Sequence, residues 1–250
     1  MFKIGDYVTR KKYNNDILFK IKDIRKDNII LCGVNLRLYA DSNENDLVLS
    51  NIRNDKEDEI EEIKLDKKYF YIPGIILHLD SDKDYLDKCI KYYKKLKIKC
   101  FGELLEEEKY IDNIEKLINK YKPTIVVITG HDAYYKNNKY KNSKYFIETV
   151  KYIRNNMNRK DIIIVSGACQ SDFYNLIKNG SNFASSPSHI NIHALDPAII
   201  AANIALLDKN TTVDLDNLLS KTKYGSDGIG GIETNGVMIV GYPRKEINWI

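Results

Sequence analysis

Two apolar runs in this chain each end in a glycine and a side chain able to do chemistry. TIVVIT, residues 124 to 129, leads into Gly130-His131-Asp132, and DIIIVS, residues 161 to 166, leads into Gly167-Ala168-Cys169-Gln170. An imidazole beside a thiol is the pairing used by thiol nucleophiles. A free cysteine with a pKa near ~8.5 is mostly protonated at neutral pH, and a nearby histidine or helix N-terminus raises its thiolate fraction. His131 would then protonate a leaving amine, general acid catalysis worth roughly 10² to 10⁴ in rate. The backbone N–H groups of Cys169 and Asp132 would then hold the developing oxyanion. SDFYNLIKNG reads as a helix starting directly after Cys169, with Ser171 as its cap.

Each residue has a plainer reading by itself: a cysteine after a strand is ordinarily a small hydrophobe, and a loop histidine is ordinarily structural. Their joint placement after glycines at the ends of consecutive strands carries the catalytic reading. His193 in SSPSHINIHALDP is the reserve candidate for the base, with His189 lining the same edge, and His78 inside GIILHLD reads as packed. Cys32, Cys89 and Cys100 read as core residues, and no CxxC pair suits zinc or a redox dithiol. No metal or organic cofactor is expected. YGSDGIGGIETNG lacks the GxxxxGKS pattern of a phosphate loop and reads as a flexible loop bordering the cleft.

The elements that must position these residues follow from apolar rhythm. From Tyr69 onward, strand and helix patterns alternate: YFYIPGIILHLD, DKDYLDKCIKYYKKL, IKCF, EEEKYIDNIEKLINKYK, TIVVIT, KNSKYFIETVKYIRNNM, DIIIVS, SDFYNLIKNG, NFASS and DPAIIAANIALLD. Such alternation predicts an α/β fold with a mostly parallel sheet flanked by helices. If the strands of TIVVIT and DIIIVS are neighbours, His131 and Cys169 emerge side by side at the carboxyl edge, where open α/β sheets bind ligands. Residues 1 to 50 carry short apolar segments between Asn, Asp and Gly, the pattern of a small all-β, SH3-like barrel. Residues 51 to 68 are nearly all charged and read as a linker, leaving 69 to 250 as the α/β domain.

Composition excludes little else. The formal charge of +4 arises from 39 basic and 35 acidic residues scattered along the chain, so nucleic acid is only weakly suggested as a partner. No apolar leader or membrane-length run is present, and the expected location is cytoplasmic. A non-enzymatic binding module on a Rossmann-like layer, recognising other proteins or nucleic acid, is the alternative reading. A thiol amidase is disfavoured because GACQS lacks the second glycine of the G-x-S-x-G elbow.

The two strand ends resemble those of the caspase, legumain and clostripain group of cysteine peptidases, whose hallmarks are His-Gly and Ala-Cys. More specifically, ITGHDAYY, NSKYFIETVK, SGACQSDFYNLIKNGSNFASSP, NIHALDP and KYGSDGIGGIETNGVMIVGYPR resemble the YabG family of sporulation-specific peptidases. The similarity runs over essentially the whole chain. It implies a caspase-like fold, a catalytic dyad of His131 and Cys169, and protein substrates among spore coat and germination proteins. It also implies action in the sporulating cell and a preference for arginine before the scissile bond. Asp132 departs from the Gly usual after the histidine in the wider group. An arginine pocket needs a carboxylate for the guanidinium; in the wider group the end of the first strand supplies it, a resemblance that nominates Asp80 and then Asp82, with Asp172, Asp196 and Asp227 as competitors. Both could equally cap the following helix. Self-cleavage near Arg53, in the charged stretch, would follow from the same preference.

Overall fold

A computed structural model of the protein describes residues 2–25, 28–51, 66–135 and 139–244. The chain divides into two compact units, Met1–Glu61 and Glu62–Ile250. In the first, strands β1 (Tyr7–Arg10), β2 (Phe19–Arg25), β3 (Asn28–Gly33), β4 (Tyr39–Ser42) and β5 (Leu47–Leu49) form one antiparallel sheet in the order β4-β3-β2-β1-β5. Alternation puts Phe19 and Ile21, then Ile29 and Leu31, on one face, where they meet Val8 and Leu47. The fourth strand lies in YADS, which the apolar pattern does not reveal. The charged stretch expected as a linker falls mostly on residues outside the described ones, as does Arg53.

The second unit contains, in chain order, β6 (Phe70–Ile72), β7 (Ile76–Asp80), α1 (Lys83–Lys95), β8 (Cys100–Leu104), α2 (Tyr110–Tyr121), β9 (Ile125–Ile128), β10 (Tyr134–Tyr135), β11 (Lys139–Tyr140), α3 (Ser143–Asn156) and β12 (Ile163–Ser166). There follow α4 (Phe173–Asn179), β13 (Phe183–Ser185), α5 (Asp196–Ala205), α6 (Leu215–Ser220), β14 (Ile229–Gly231) and β15 (Ile239–Gly241). Six strands form the central sheet, in the order β14-β13-β12-β9-β7-β8. All neighbours are parallel except β14, which runs antiparallel to β13.

Strands covered on both faces must be apolar throughout, and period-two alternation divides them between two cores. Ile76, Ile125, Val127, Ile163 and Val165 pack with residues of α1, α5 and α6, while Leu77, Leu79, Val126, Ile128 and Ile164 pack with residues of α2, α3 and α4. The helices answer with stripes at helical spacing: Tyr85, Cys89 and Tyr93 on α1, Tyr110, Ile114 and Leu117 on α2, and Phe146, Val150 and Ile153 on α3. Burying one such aliphatic or aromatic side chain contributes roughly 1.5–3 kcal/mol.

Three details depart from the sequence reading. YFYIPGIILHLD is two strands, because Pro73 removes a backbone donor before Gly74; β6 leaves the main sheet and pairs with β15. The Gly-rich segment read as a cleft-side loop contributes the edge strand β14, whose Gly231 has no room for a side chain beside Phe183. The helix after Cys169 starts at Phe173 with Asp172 as its N-cap, accepting from Asn175 N–H at 3.2 Å. Ser171 is therefore not the cap. Among the described residues, no helix is long and apolar enough to cross a membrane.

Candidate active site

The site begins with strand register. β9 and β12 pair parallel with Ile128 opposite Ser166, so His131 and Cys169 each lie three residues beyond a matched pair at the carboxyl edge. β7 flanks β9 on the other side, with Leu79 opposite Ile128, and delivers Asp80, Ser81 and Asp82 to the same edge. Three turns converge there, from β7, β9 and β12.

His131 is held from several directions. Its N–H donates to Glu107 Oε1 at 2.8 Å, and Ser81 Oγ donates to the same oxygen at 2.5 Å. Its carbonyl accepts from Asn142 Nδ2 at 2.8 Å. Its Nε2 lies 3.5 Å from Asp82 Oδ2, and the Asp82 side chain is 2% exposed. The Tyr85 ring sits 5.9 Å from the imidazole, centre to centre. Asp82 is itself fixed, because its Oδ1 caps α1 by accepting from Asp84 N–H at 2.8 Å and Tyr85 N–H at 3.1 Å. One carboxylate thus serves a helix start with one oxygen and the histidine with the other.

Asp80 lies deeper. It is fully buried, accepting from Asp82 N–H at 3.0 Å and from the Thr129 hydroxyl at 2.8 Å. With the Thr129 proton directed at Asp80, His78 Nε2–H donates to Thr129 Oγ1 at 2.8 Å, and the Tyr93 hydroxyl, at 2.9 Å, donates to Nδ1. His78 is thus a packed histidine, and its Nε2 also lies 3.8 Å from Asp80 Oδ2. Neither Asp80 nor Asp82 presents an open face for a guanidinium in this arrangement.

Cys169 is 3% exposed and lies under the turn after β13. Ile192 N–H donates to its Sγ at 3.3 Å, a bond that strengthens when the sulfur is ionised. Gln170, next in the chain, has φ +56°, a left-handed conformation that carries the backbone sharply away from Cys169. Its N–H donates to Ser186 Oγ at 3.0 Å and to Ile190 O at 3.2 Å, joining the turns after β12 and β13. Of the residues nominated for the oxyanion, the neighbours of Cys169 and Asp132 have engaged N–H groups: Ala168 N–H donates to Ser171 Oγ at 2.9 Å and Ala133 N–H to Asp132 Oδ1 at 2.9 Å.

The remaining candidates scatter. His189 stacks on Tyr134 with ring centres 4.7 Å apart, at the rim. His193 Nδ1 accepts from Leu195 N–H at 3.3 Å, and Asp196 accepts from His193 N–H and Lys223 N–H, both at 2.9 Å. Asp227 is exposed and accepts from Ser188 Oγ at 2.9 Å. Cys32 and Cys89 are buried in the separate cores, and burial pushes the Cys100 thiol up, partly opposed by Lys94. Glu107, Asn142, Ser143 and the hydroxyl of Ser171 escape sequence reasoning: nothing in EEEK or KNSK marks residues that will brace a turn elsewhere in the chain. Among the described residues, no three His, Cys, Asp or Glu side chains are grouped to hold a metal ion.

The sequence matches a family model described as YabG peptidase U57 over residues 3–65 and 50–243. It is 40% identical, over 288 aligned residues, to the sporulation-specific protease YabG of Bacillus subtilis (strain 168), covering 98% of this chain and 99% of that one. A strand edge with converging turns is common to many α/β enzymes, but a match of this identity across both chains is not. The chain belongs to the YabG peptidase family and is a peptidase.

Proposed function

We propose that the protein is a cysteine endopeptidase of caspase-like fold, acting during sporulation through His131 and Cys169. The observation that supports this reading is the register of β9 and β12, each of which is followed three residues on by one of the two, with Asp82 Oδ2 3.5 Å from the imidazole Nε2. Cys169 attacks the scissile carbonyl, and the oxyanion is held by the backbone N–H groups of Cys169 and Asp132. His131 protonates the departing amine; it then activates water to hydrolyse the thioester. Asp82 holds the ring through Nε2, leaving Nδ1 to serve the sulfur. The separation of 3.5 Å is long for a hydrogen bond, and such contacts tighten in the substrate complex.

The substrates are spore coat and germination proteins, cut after arginine. Asp80 and then Asp82 are the sequence-based nominees for the arginine pocket, and either would require the turn after β7 to open. Asp227 needs no such rearrangement: it is exposed and bonded to Ser188, on the turn that also holds Gln170 beside the nucleophile. It is the carboxylate we favour.

The test uses short fluorogenic peptides that differ only in Arg, Lys, Asp or Asn before the reporter, with purified protein and Cys169→Ala. Cleavage of the Arg peptide by the wild type, abolished in the variant, is expected. Cleavage retained by Cys169→Ala would overturn the nucleophile assignment. Asp227→Asn should lower kcat/KM for the Arg peptide by about tenfold or more, the scale of one lost charge-assisted pair.

A further inference from the structure

The residue after the histidine is an aspartate, and its carboxylate is the meeting point of three segments. Asp132 Oδ1 accepts from Ala133 N–H at 2.9 Å and from Asn142 N–H at 2.8 Å. Its Oδ2 accepts from the hydroxyls of Ser143 and Ser171, the latter at 2.9 Å. Each hydroxyl passes the connection on. Ser171 Oγ accepts from Ala168 N–H at 2.9 Å, one residue before Cys169, and Ser143 Oγ accepts from Asp172 N–H at 2.9 Å. Ser143 and Ser171 are buried, so these bonds are made with little competition from water.

We propose that Asp132 is a positioning residue that locks the turn bearing His131 to the turn bearing Cys169, through Ser171 on one side and Ser143 on the other, before substrate arrives. The inference rests on the reading of His131 and Cys169 as the dyad. Glycine at this position could supply an N–H to an oxyanion but no side chain to join the turns. Here the joining is done by a carboxylate that presents four acceptor sites to four donors, the full capacity of the ionised group. Burial raises the pKa of Asp132, and the bonds from Ser143, Asn142, Ala133 and Ser171 oppose that rise. No other residue type of this size could accept all four: asparagine keeps one acceptor oxygen, and its N–H₂ would donate to the two hydroxyls and leave their protons without this acceptor.

The role differs from that of Asp82, which touches the imidazole. The Asp132 side chain acts only through backbone placement, so its loss should displace the reacting groups without weakening substrate binding. A misplacement of about 1 Å between reacting groups costs on the order of a hundredfold in rate.

The experiment compares wild type, Asp132→Asn, Ser171→Ala and the double variant on the Arg peptide, with kcat expressed per thiol titratable by an irreversible active-site electrophile, which removes any unfolded fraction. The expected result is a fall in kcat of about a hundredfold for Asp132→Asn and at least about tenfold for Ser171→Ala, with KM unchanged within about twofold. The double variant should be no worse than the worse single one, because the connection broken by Ser171→Ala is already broken in Asp132→Asn. Single variants within about twofold of wild type, or losses that multiply, would overturn the proposal. Ser171→Ala removes one hydroxyl and leaves the rest of the network, so it decides the matter even if Asp132→Asn does not fold. If the wild type shows no cysteine-dependent cleavage, the dyad reading falls and takes this inference with it; that result is visible before any Asp132 variant is assayed.

Discussion

At the residue scale, the carboxylates around His131 and Cys169 divide their labour by which donors they meet. Asp82 combines a helix cap with a contact to His131, and the two duties are separable. Asn caps a helix about as well as Asp, so Asp82→Asn should fold with an unchanged melting temperature while losing about ten- to a hundredfold in kcat, since the imidazolium loses its counter-charge. Asp82→Ala should lose roughly a further 1 kcal/mol of stability, measured by denaturant unfolding. Asp132 carries a pH signature. Burial sets its folded pKa above the ordinary 3.8. Between 3.8 and that higher value the folded protein holds a proton that the unfolded chain has released, so its contribution is fully present below 3.8 and is lost as pH rises through the folded value. Urea midpoints followed across this window should fall less steeply with pH in Asp132→Asn than in wild type. Tyr140, whose hydroxyl is pushed up to about 12 by burial and by the nearby Asp172, Tyr134 and Asp132, stays protonated throughout.

At the scale of elements, a glycine shapes the turn at the carboxyl edge, and a half-buried guanidinium braces the opposite, amino edge. Gly167 joins β12 to the Cys169 turn with φ +98°, and a Cβ there would lie 3.0 Å from Leu176 Cδ1 and 3.3 Å from Ser185. Gly167→Ala should cost about 1–3 kcal/mol from the backbone conformation alone, a fall of several degrees in Tm for a domain of this size. Arg154, at the end of α3, donates to Gly180 O at 3.0 Å, Ile162 O at 3.1 Å and Asn182 Oδ1 at 3.1 Å, tying the helix to the segments that enter β12 and β13. Burial, with the charge of Arg159, lowers its pKa to about 10, so it remains charged at neutral pH. Arg154→Ala should destabilise by about 2–4 kcal/mol in denaturant unfolding, because several buried acceptors lose their donor together. Much at this scale was legible: continuous apolar runs announced β7, β9 and β12, and helical stripes announced α1, α2 and α3. The short strands β10, β11, β14 and β15 were not, because two or three residues hold no periodicity, and β14 is rich in glycine, which reads as loop.

At the scale of the whole molecule, the second unit contains the complete edge formed by β7, β9, β12 and β13. Residues 62–250 expressed alone should therefore retain cysteine-dependent cleavage of the Arg peptide within about tenfold of the full chain; an inactive but folded fragment would give the first unit a direct part in catalysis. The proposed preference for arginine, applied to this chain itself, makes Arg53 a target. Prolonged incubation of active protein should produce a cut after Arg53, visible by mass spectrometry and absent in Cys169→Ala.

The sequence by itself determined the α/β alternation, the parallel run of strands and the candidates His131 and Cys169, because buried strands, amphipathic helices and turn glycines leave local patterns of residue type. It also carried the family in long continuous blocks. The tertiary structure decided which aspartate meets which donor. Asp80 and Asp82 are two residues apart with similar surroundings in sequence; strand pleat and the start of α1 send one into the His78 and Thr129 network and the other to His131. Asp132, Ser143 and Ser171 likewise share one network only because β9 and β12 are neighbours in register. Hydrogen-bond partners separated along the chain are selected by register and packing, and these are properties of the assembled sheet rather than of any segment within it.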